Sequence, residues 1–517
     1  MARERMASAQ VSSPIVSRKA RVLIFVVAYE AESTLEQVLA RVPDSVFAHD
    51  TQILVIDDSS RDRTFDVGVR SAQHSRHRIT VLYNPENQGY GGNQKLGYQF
   101  ALRNGFDVVV LLHGDGQYAP EVIPTLIAPI LDGTADAVMG SRMLVPGVAR
   151  SGGMPLYKLV GNRILTFVQN RLLGSALSEF HSGFRAYSVA ALGRIPFGYN
   201  SNVFHFDTEI IIQLMVAGCR IREVPIPTYY GDEICRVDGV KYAKDVIVTT
   251  IASRLHRLNI FYDRRFDIEG DTNTHYALKL GYRSSHTMAL DAVAPGSRVL
   301  DIGCGPGSFD VHLAAKGCRV TGADQFPPAC PEAFERFVQW DDHDRFPGDD
   351  LRPYDFVLLL DIVEHLRAPE VFLDRLRTAT RSTNRRPAFV VTSGNVVFGI
   401  VRLQALLGNF NYGKRGILDL THTRLYTFKS LARLFAQCGF NVERLEGIPA
   451  PFPKALGDNR TSRALLWINE RLIRVSKGLF AYQIFLVATP RPSIDALLDQ
   501  SIARGREKSA ALSETAG

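Results

Sequence analysis

Two groups of residues in this 517-residue chain carry recognisable chemistry. The first is acidic and follows short apolar runs: Ala28-Tyr29-Glu30 comes after 22–27, Asp57-Asp58 after 53–56, and His113-Gly-Asp115-Gly-Gln117 after 108–112. Carboxylates behind successive strands of one sheet can accept hydrogen bonds from a base and a ribose. Their hard oxygens suit Mg²⁺ or Mn²⁺, which neutralises a diphosphate leaving group. Asp57, Asp58 and Asp62 have a plainer alternative, the capping of the following helix. The second group is Asp301-Ile-Gly303-Cys-Gly305-Pro-Gly307, whose glycines let main-chain amides approach a ligand. A dinucleotide fingerprint needs a third glycine where Ser308 stands. Downstream, Asp324 is placed to accept two ribose hydroxyls, Asp341-Asp342 to meet an adenine amino group, and Asp361 opens Asp-Ile-Val-Glu-His365.

These residues need a scaffold that brings strand ends together. Apolar runs at 22–27, 53–56, 79–83, 108–112 and 137–139 alternate with helical patterns near 33–39, 64–73, 93–103 and 120–131. That alternation predicts a mostly parallel sheet with ligands at the carboxyl ends of its strands. A second series follows, with strands at 298–300, 319–323, 337–340, 356–360 and 482–488 and helices near 276–292 and 462–479. The fold class is therefore α/β in two domains. The expected organisation is a flexible segment 1–19, a first domain 20–262, a linker 263–276, a second domain 277–490 and a flexible tail 491–517.

Composition sets the class. The chain is 46% hydrophobic and 22% charged, as in an ordinary globular protein, and long enough for two cores. Its net charge of +7 is spread over both halves, which leaves no concentrated nucleic-acid footprint but suits substrates rich in phosphate. Six cysteines with no C-x-x-C pair read as reduced thiols. No run reaches the roughly 18 apolar residues of a membrane span, and the first nineteen residues lack the apolar core of a secretory signal. The expectation is a cytoplasmic protein, with peripheral contact at the inner face of a membrane as an addition.

The first acidic set resembles family-2 glycosyltransferases, the branch that includes dolichyl-phosphate mannosyltransferase. Further matches follow in order: Asn87-Gln-Gly-Tyr-Gly-Gly-Asn-Gln-Lys95, Gly140-Ser-Arg142, Ser182-Gly-Phe-Arg185 and Phe206-Asp207-Thr-Glu209. The resemblance implies a GT-A-like, Rossmann-like nucleotide-sugar fold. It places the positions of Tyr29, Glu30 and Asp58 around the nucleotide, and those of Asp115 and Gln117 at the metal. The customary Asp-x-Asp is His113-x-Asp115 here. The glycine loop, Asp324, Asp341-Asp342 and Asp361 together resemble class I S-adenosylmethionine-dependent methyltransferases, which implies a second Rossmann-like fold that binds S-adenosylmethionine.

Other side chains have roles open to two readings. Arg142 and Arg185 could bind donor or acceptor phosphates, because a guanidinium fork matches phosphate oxygens. Asp207 and Glu209 lie on an apolar helix, where burial would raise a carboxyl pKa and suit a general base; a structural ion pair is the other reading. His365 could be the base of a methyl transfer or a core histidine. The stretch 462–479 alternates Arg463, Arg471, Arg474 and Lys477 with apolar residues, a pattern that serves core packing or a membrane surface. The functional reading is a bifunctional enzyme. A nucleotide sugar is the donor, a glycan, glycolipid or polyprenyl phosphate the acceptor, and S-adenosylmethionine methylates a related substrate. The alternative makes the second domain a non-catalytic regulatory or scaffold module.

Overall fold

In the computed structural model of the chain the described residues are 18–228, 238–258, 260–268, 278–340, 350–380, 386–492 and a few positions between 494 and 506. Asp341, Asp342, most of the expected linker and most of both expected terminal segments lie outside them. Contacts divide the chain into two compact units, Met1–Arg257 with Asp263–Thr272, and Leu258–Tyr262 with Asn273–Gly517.

The first unit is built on seven strands: β1 (Arg21–Ala28), β2 (Asp50–Asp57), β3 (Ile79–Tyr83), β4 (Val108–His113), β5 (Ala137–Ser141), β6 (Arg185–Ser188) and β7 (Ile221–Pro225). Their order is β3-β2-β1-β4-β6-β5-β7, with β6 antiparallel to both neighbours and the other pairs parallel. Runs such as Val-Leu-Ile-Phe-Val-Val in β1 are apolar on both sides because helices cover both faces. Val22, Ile24 and Val26 pack with Leu35, Val38 and Leu126 on one face. Leu23 and Phe25 pack with Tyr98, Phe206 and Ile210 on the other. Gly97 sets the spacing on that second face, since a Cβ there would lie 2.1 Å from the Phe25 ring. The short strand β6 has no apolar run to announce it, and its four residues enter the sheet only through pairing with β4 and β5.

The second unit has β8 (Arg298–Ile302), β9 (Arg319–Asp324), β10 (Arg336–Gln339), β11 (Phe356–Leu360), β12 (Ala388–Gly394), β13 (Phe440–Ile448) and β14 (Gln483–Pro490). The order is β10-β9-β8-β11-β12-β14-β13, and β14 runs antiparallel to its two neighbours. The helix expected from residue 276 begins only at Ser285, where Ser284 and Thr287 form a reciprocal capping box. The helix expected at 462–479 is Arg460–Val475, capped by Asn459, followed by a short turn Lys477–Phe480. Among the described residues no helix is long and apolar enough to cross a membrane.

Candidate functional site

Parallel register sets Ala28 beside Asp57 and Val27 beside His113, so the segments after β1, β2 and β4 open on one edge. The chain turns sharply there. Glu30 and Ser59 take left-handed backbone, φ 49° and 61°, a strain of about 1–3 kcal/mol each that surrounding bonds must offset. The Glu30 and Ala31 amides donate to the hydroxyls of Ser60 and Thr64, both at 2.8 Å. Ala28 is buried beneath this turn, while Tyr29 remains 39% exposed.

Asp57 and Asp58 do different work. Asp57 is sealed; its Oδ1 accepts from the Ser60 amide at 3.0 Å and the Ser60 hydroxyl at 2.5 Å, and burial raises its pKa. It shapes the turn from inside, so the nucleotide contact expected of it is not available. Asp58 accepts from Asn84 Nδ2 at 2.7 Å, the Gln88 amide at 2.8 Å and the Gly89 amide at 3.0 Å. Three donors leave one of about four carboxylate acceptor sites for a ligand. Neither aspartate caps the following helix, whose N-cap is Arg63; its first amide, that of Thr64, donates to Asp62 Oδ1 at 3.0 Å.

Beyond β4, Asp115 is exposed, with Oδ1 accepting only a local bond from the Gln117 amide at 3.0 Å. His113 faces inward. The Tyr90 hydroxyl donates to Asp207 Oδ2 at 3.0 Å, so His113 Nε2, 3.2 Å from that hydroxyl, must be its donor. Burial lowers the His113 pKa, leaving a neutral ring whose Nε2 carries a proton and cannot ligate a cation. Gly183 packs on this ring; a Cβ there would come within 2.7 Å of it.

The two arginines expected to meet phosphates are already committed. Arg142 is buried and paired through Nε and Nη2 with Glu179, Nε at 3.0 Å; burial would raise the Glu179 pKa, but the Arg142 charge and the hydrogen bonds from Arg142 and Asn162 together bring it below the usual value. Arg185 is 1% exposed, donates to the carbonyls of Ser182, Phe180 and Asp207, and lies 3.4 Å from Asp207 Oδ2. Asp207 also accepts from Gln94 at 3.1 Å. Glu209 is fully buried between Arg265, His205 and the Ser201 amide; burial would raise its pKa, but those partners bring it below the usual value. A depressed carboxylate in an ion pair is a poor general base, so Glu209 follows the structural reading. Arg265 could not be recognised as a partner from local pattern, because it stands 56 positions away.

In the second unit Gly303, Gly305 and Gly307 all have positive φ. A Cβ on Gly303 would lie 2.0 Å from Ile362. Asp324 Oδ2 accepts from the Gly305 amide at 2.9 Å and Oδ1 from the Phe326 amide at 3.0 Å, which ties the loop to the end of β9. Asp301, Gly303, Gly305, Asp324, Asp361 and His365 line one cavity of about 490 Å³, inside the range of about 300–1,000 Å³ usual for small-molecule sites. Gly307 is not on its wall: it turns under Phe334, whose ring a Cβ would approach to 2.7 Å. Beneath the loop, burial raises the pKa of Asp301 to about 7 and also raises that of Asp310, whose charge interacts with Asp301.

Asp361 directly follows β11 at φ 56°, and its carboxylate accepts from Thr392 Oγ1 at 2.8 Å and Gln483 Nε2 at 2.8 and 2.9 Å. His365 Nδ1 lies 3.3 Å from the Thr421 carbonyl, which can only accept, so Nδ1 carries the proton and Nε2 the lone pair. Burial and the neighbouring His422 lower its pKa, keeping the ring neutral. Sequence reasoning passed over Glu364, which is 2% exposed and whose pKa burial raises to about 8. It also passed over His286 on the cavity wall, pushed by burial to about 4.

A family model, glycosyl transferase family 2, matches residues 23–195. An undecaprenyl-phosphate mannosyltransferase of Micrococcus luteus is 31% identical over 208 residues, 40% of this chain and 82% of that protein. The chain belongs to glycosyltransferase family 2. A UDP-N-acetylglucosamine–dolichyl-phosphate N-acetylglucosaminyltransferase of Methanococcus voltae is 28% identical over 222 residues, 41% of this chain and 86% of that protein. A glucosyl-3-phosphoglycerate synthase from Mycobacterium tuberculosis overlays at a TM-score of 0.34 and 18% identity, with 45% of this chain and 78% of that one covered, too loosely to add to the strand order. A methyltransferase-domain model matches residues 276–445. This family-2 glycosyltransferase therefore carries a methyltransferase domain on the same polypeptide, and the two units are a GT-A-like and a Rossmann-like class I methyltransferase fold.

Among the described residues no cluster of three or more His, Cys, Asp or Glu forms a cation cage. Mg²⁺ commonly takes one or two carboxylates and completes its shell with phosphates and water. Asp115 with Gln117 fits that pattern for a cation arriving with a diphosphate. The glycine cradle beside Asp324 likewise fits a ribose-bearing methyl donor, since the Asp324 carboxylate keeps acceptor sites beyond its two amide bonds.

Proposed function

We propose that the first unit transfers a sugar from a nucleoside-diphosphate donor to a polyprenyl phosphate, and that the second methylates a related glycan or lipid-linked product. One observation carries the choice of acceptor: the buried acids Asp207 and Glu209 are held by Arg185 and Arg265. Attack by a sugar hydroxyl calls for a free base. A phosphate acceptor is already anionic and needs none. The two relatives named above, one a dolichyl-phosphate and the other an undecaprenyl-phosphate sugar transferase by name, support the same reading.

In this mechanism Tyr29, Glu30 and the remaining acceptor site of Asp58 orient the nucleotide, and Asp115 with Gln117 holds the cation. An acceptor phosphate oxygen forms the bond to the anomeric carbon as the bond to the diphosphate breaks, and the electron pair leaves with the diphosphate. Bound Mg²⁺ or Mn²⁺ supplies neutralisation of that leaving group. Asp207, Tyr90 and His113 stiffen the wall behind Asp115. In the second unit S-adenosylmethionine supplies an electrophilic methyl group. His365 Nε2 accepts the proton of the attacking hydroxyl, while Asp324 and the glycine loop hold the methyl donor in line. The protein works at the cytoplasmic face of a membrane.

The test is nucleoside diphosphate release from a panel of nucleotide sugars with Mn²⁺ and a short-chain polyprenyl phosphate. Asp115→Ala should abolish release and leave S-adenosylmethionine binding intact; unchanged turnover removes the cation assignment. For the second unit, labelled methyl transfer to the glycosylated product is compared between wild type and His365→Ala. Label from both reduces His365 to structure. Label from neither, with the methyl donor still bound, favours a non-catalytic module.

A further inference from the structure

The helix Leu156–Leu173 of the first unit is unlike its neighbours. Its only buried residues are Asn162, Thr166 and Gln169, all polar. Leu156, Tyr157, Val160, Ile164 and Phe167 are each between 51% and 74% exposed. Their spacing puts them on one side of the helix, and Leu144 and Val145 in the preceding loop add exposed apolar surface. Such a contiguous apolar face is an interaction surface rather than chance exposure.

Charge identifies the occupant. Beside that face the helix carries exposed Arg163 and Arg171, and it has no acidic residue. The packed helix Gly239–Arg257 brings Arg254 and Arg257 toward its far end, where burial, Arg257 and Arg171 lower the Arg254 pKa. Val248 and Ile251 on that second helix are exposed as well. An apolar stripe bordered by cations matches the boundary of an anionic bilayer, where side chains enter the acyl region and cations meet lipid phosphates. A second copy of the same cationic face would instead meet like charge.

Position supports the same occupant. The helix is reached through the loop that leaves β5 at Ser141, on the carboxyl-end side of the sheet where the acidic edge opens. We infer that the exposed apolar face of the helix Leu156–Leu173, with its bordering cations, seats the first unit on an anionic lipid surface so that a membrane-borne acceptor reaches the acidic edge. This rests on the lipid-phosphate reading above for the acceptor, though not for the surface itself.

The test is flotation of the full chain with vesicles of phosphatidylcholine alone or mixed with phosphatidylglycerol. Wild type should float with the anionic vesicles and not with the neutral ones. Tyr157→Glu with Phe167→Glu, both outside the acidic edge, should cut the vesicle-bound fraction about tenfold and leave turnover on a short-chain, water-soluble polyprenyl phosphate unchanged. Absence of wild type from the lipid fraction overturns the inference. So does a double variant that still floats, or loss of flotation only in Trp467→Glu with Val475→Glu, which alters the other exposed amphipathic helix. Sedimentation showing a wild-type dimer that the double variant dissolves, without lipid binding, also overturns it. Flotation that depends on the face, together with no turnover on any lipid phosphate, upholds the surface and removes the acceptor reading.

Discussion

Replacing Glu364 by glutamine should change how the stability of the second unit depends on pH. Glu364 is 2% exposed, its Oε1 accepts from the Gly394 amide at 3.3 Å, and Oε2 has no hydrogen-bond donor. Burial, reinforced by the charge of Asp361, raises its pKa from 4.5 to about 8. The folded state therefore binds a proton that the unfolded chain releases once the pH exceeds 4.5, so stability falls as pH rises from about 4.5 to about 8. At about 1.4 kcal/mol per pH unit the full span amounts to about 5 kcal/mol, an upper figure for a buried acid that interacts with a neighbouring charge. Glutamine mimics the protonated acid and keeps the Gly394 acceptor, so the variant should match wild type near pH 4.5 and exceed it by a few kcal/mol near pH 8. Both tryptophans, Trp340 and Trp467, lie in the second unit, so denaturant unfolding read by their fluorescence reports that unit alone. Asp301 and Asp310 titrate in both proteins and cancel in the difference. A stability difference equal at pH 5 and pH 8 would refute the reasoning, since it would mean Glu364 is ionised in the fold.

Asp324→Ala should weaken S-adenosylmethionine binding by about 1–3 kcal/mol, the loss expected for hydrogen bonds to a charged acceptor, and calorimetric titration would show it. Gly303→Ala puts a Cβ 2.0 Å from Ile362 at φ 80°, so binding should fall below detection; adding Ile362→Ala removes the clash but not the strain and should restore only part of it. Arg265→Met leaves the fully buried Glu209 with His205 and the Ser201 amide but without its guanidinium, and differential scanning calorimetry should show the first unit destabilised by about 3–5 kcal/mol. A loss below about 1 kcal/mol would mean Glu209 takes up a proton instead.

Much of the scaffold was legible because it depends on local pattern. Apolar runs flanked by turn residues marked ten of the strands within a few residues, since a strand covered on both faces must be apolar throughout. The short β6 was not legible, because its place between β4 and β5 depends on pairing partners that both lie more than forty positions earlier in the chain. The late start of the helix at Ser285 was also missed, because a capping box competes locally with the apolar period.

The sequence by itself determined which chemical groups the protein would own: an acidic edge, a glycine cradle with Asp324 behind it, and two α/β frames to carry them. Residue type and order are enough for this, since glycine conformation and strand-end position are properties of a few adjacent residues. Only the tertiary structure decided which of those groups remain available. Arg142 and Arg185 were expected at phosphates and are spent on Glu179 and Asp207; Glu209 was a candidate base and is held by Arg265; Asp57 is sealed while Asp115 stays open. Charge and pKa are set by burial and by partners brought together across tens of residues, and no local pattern records those distances.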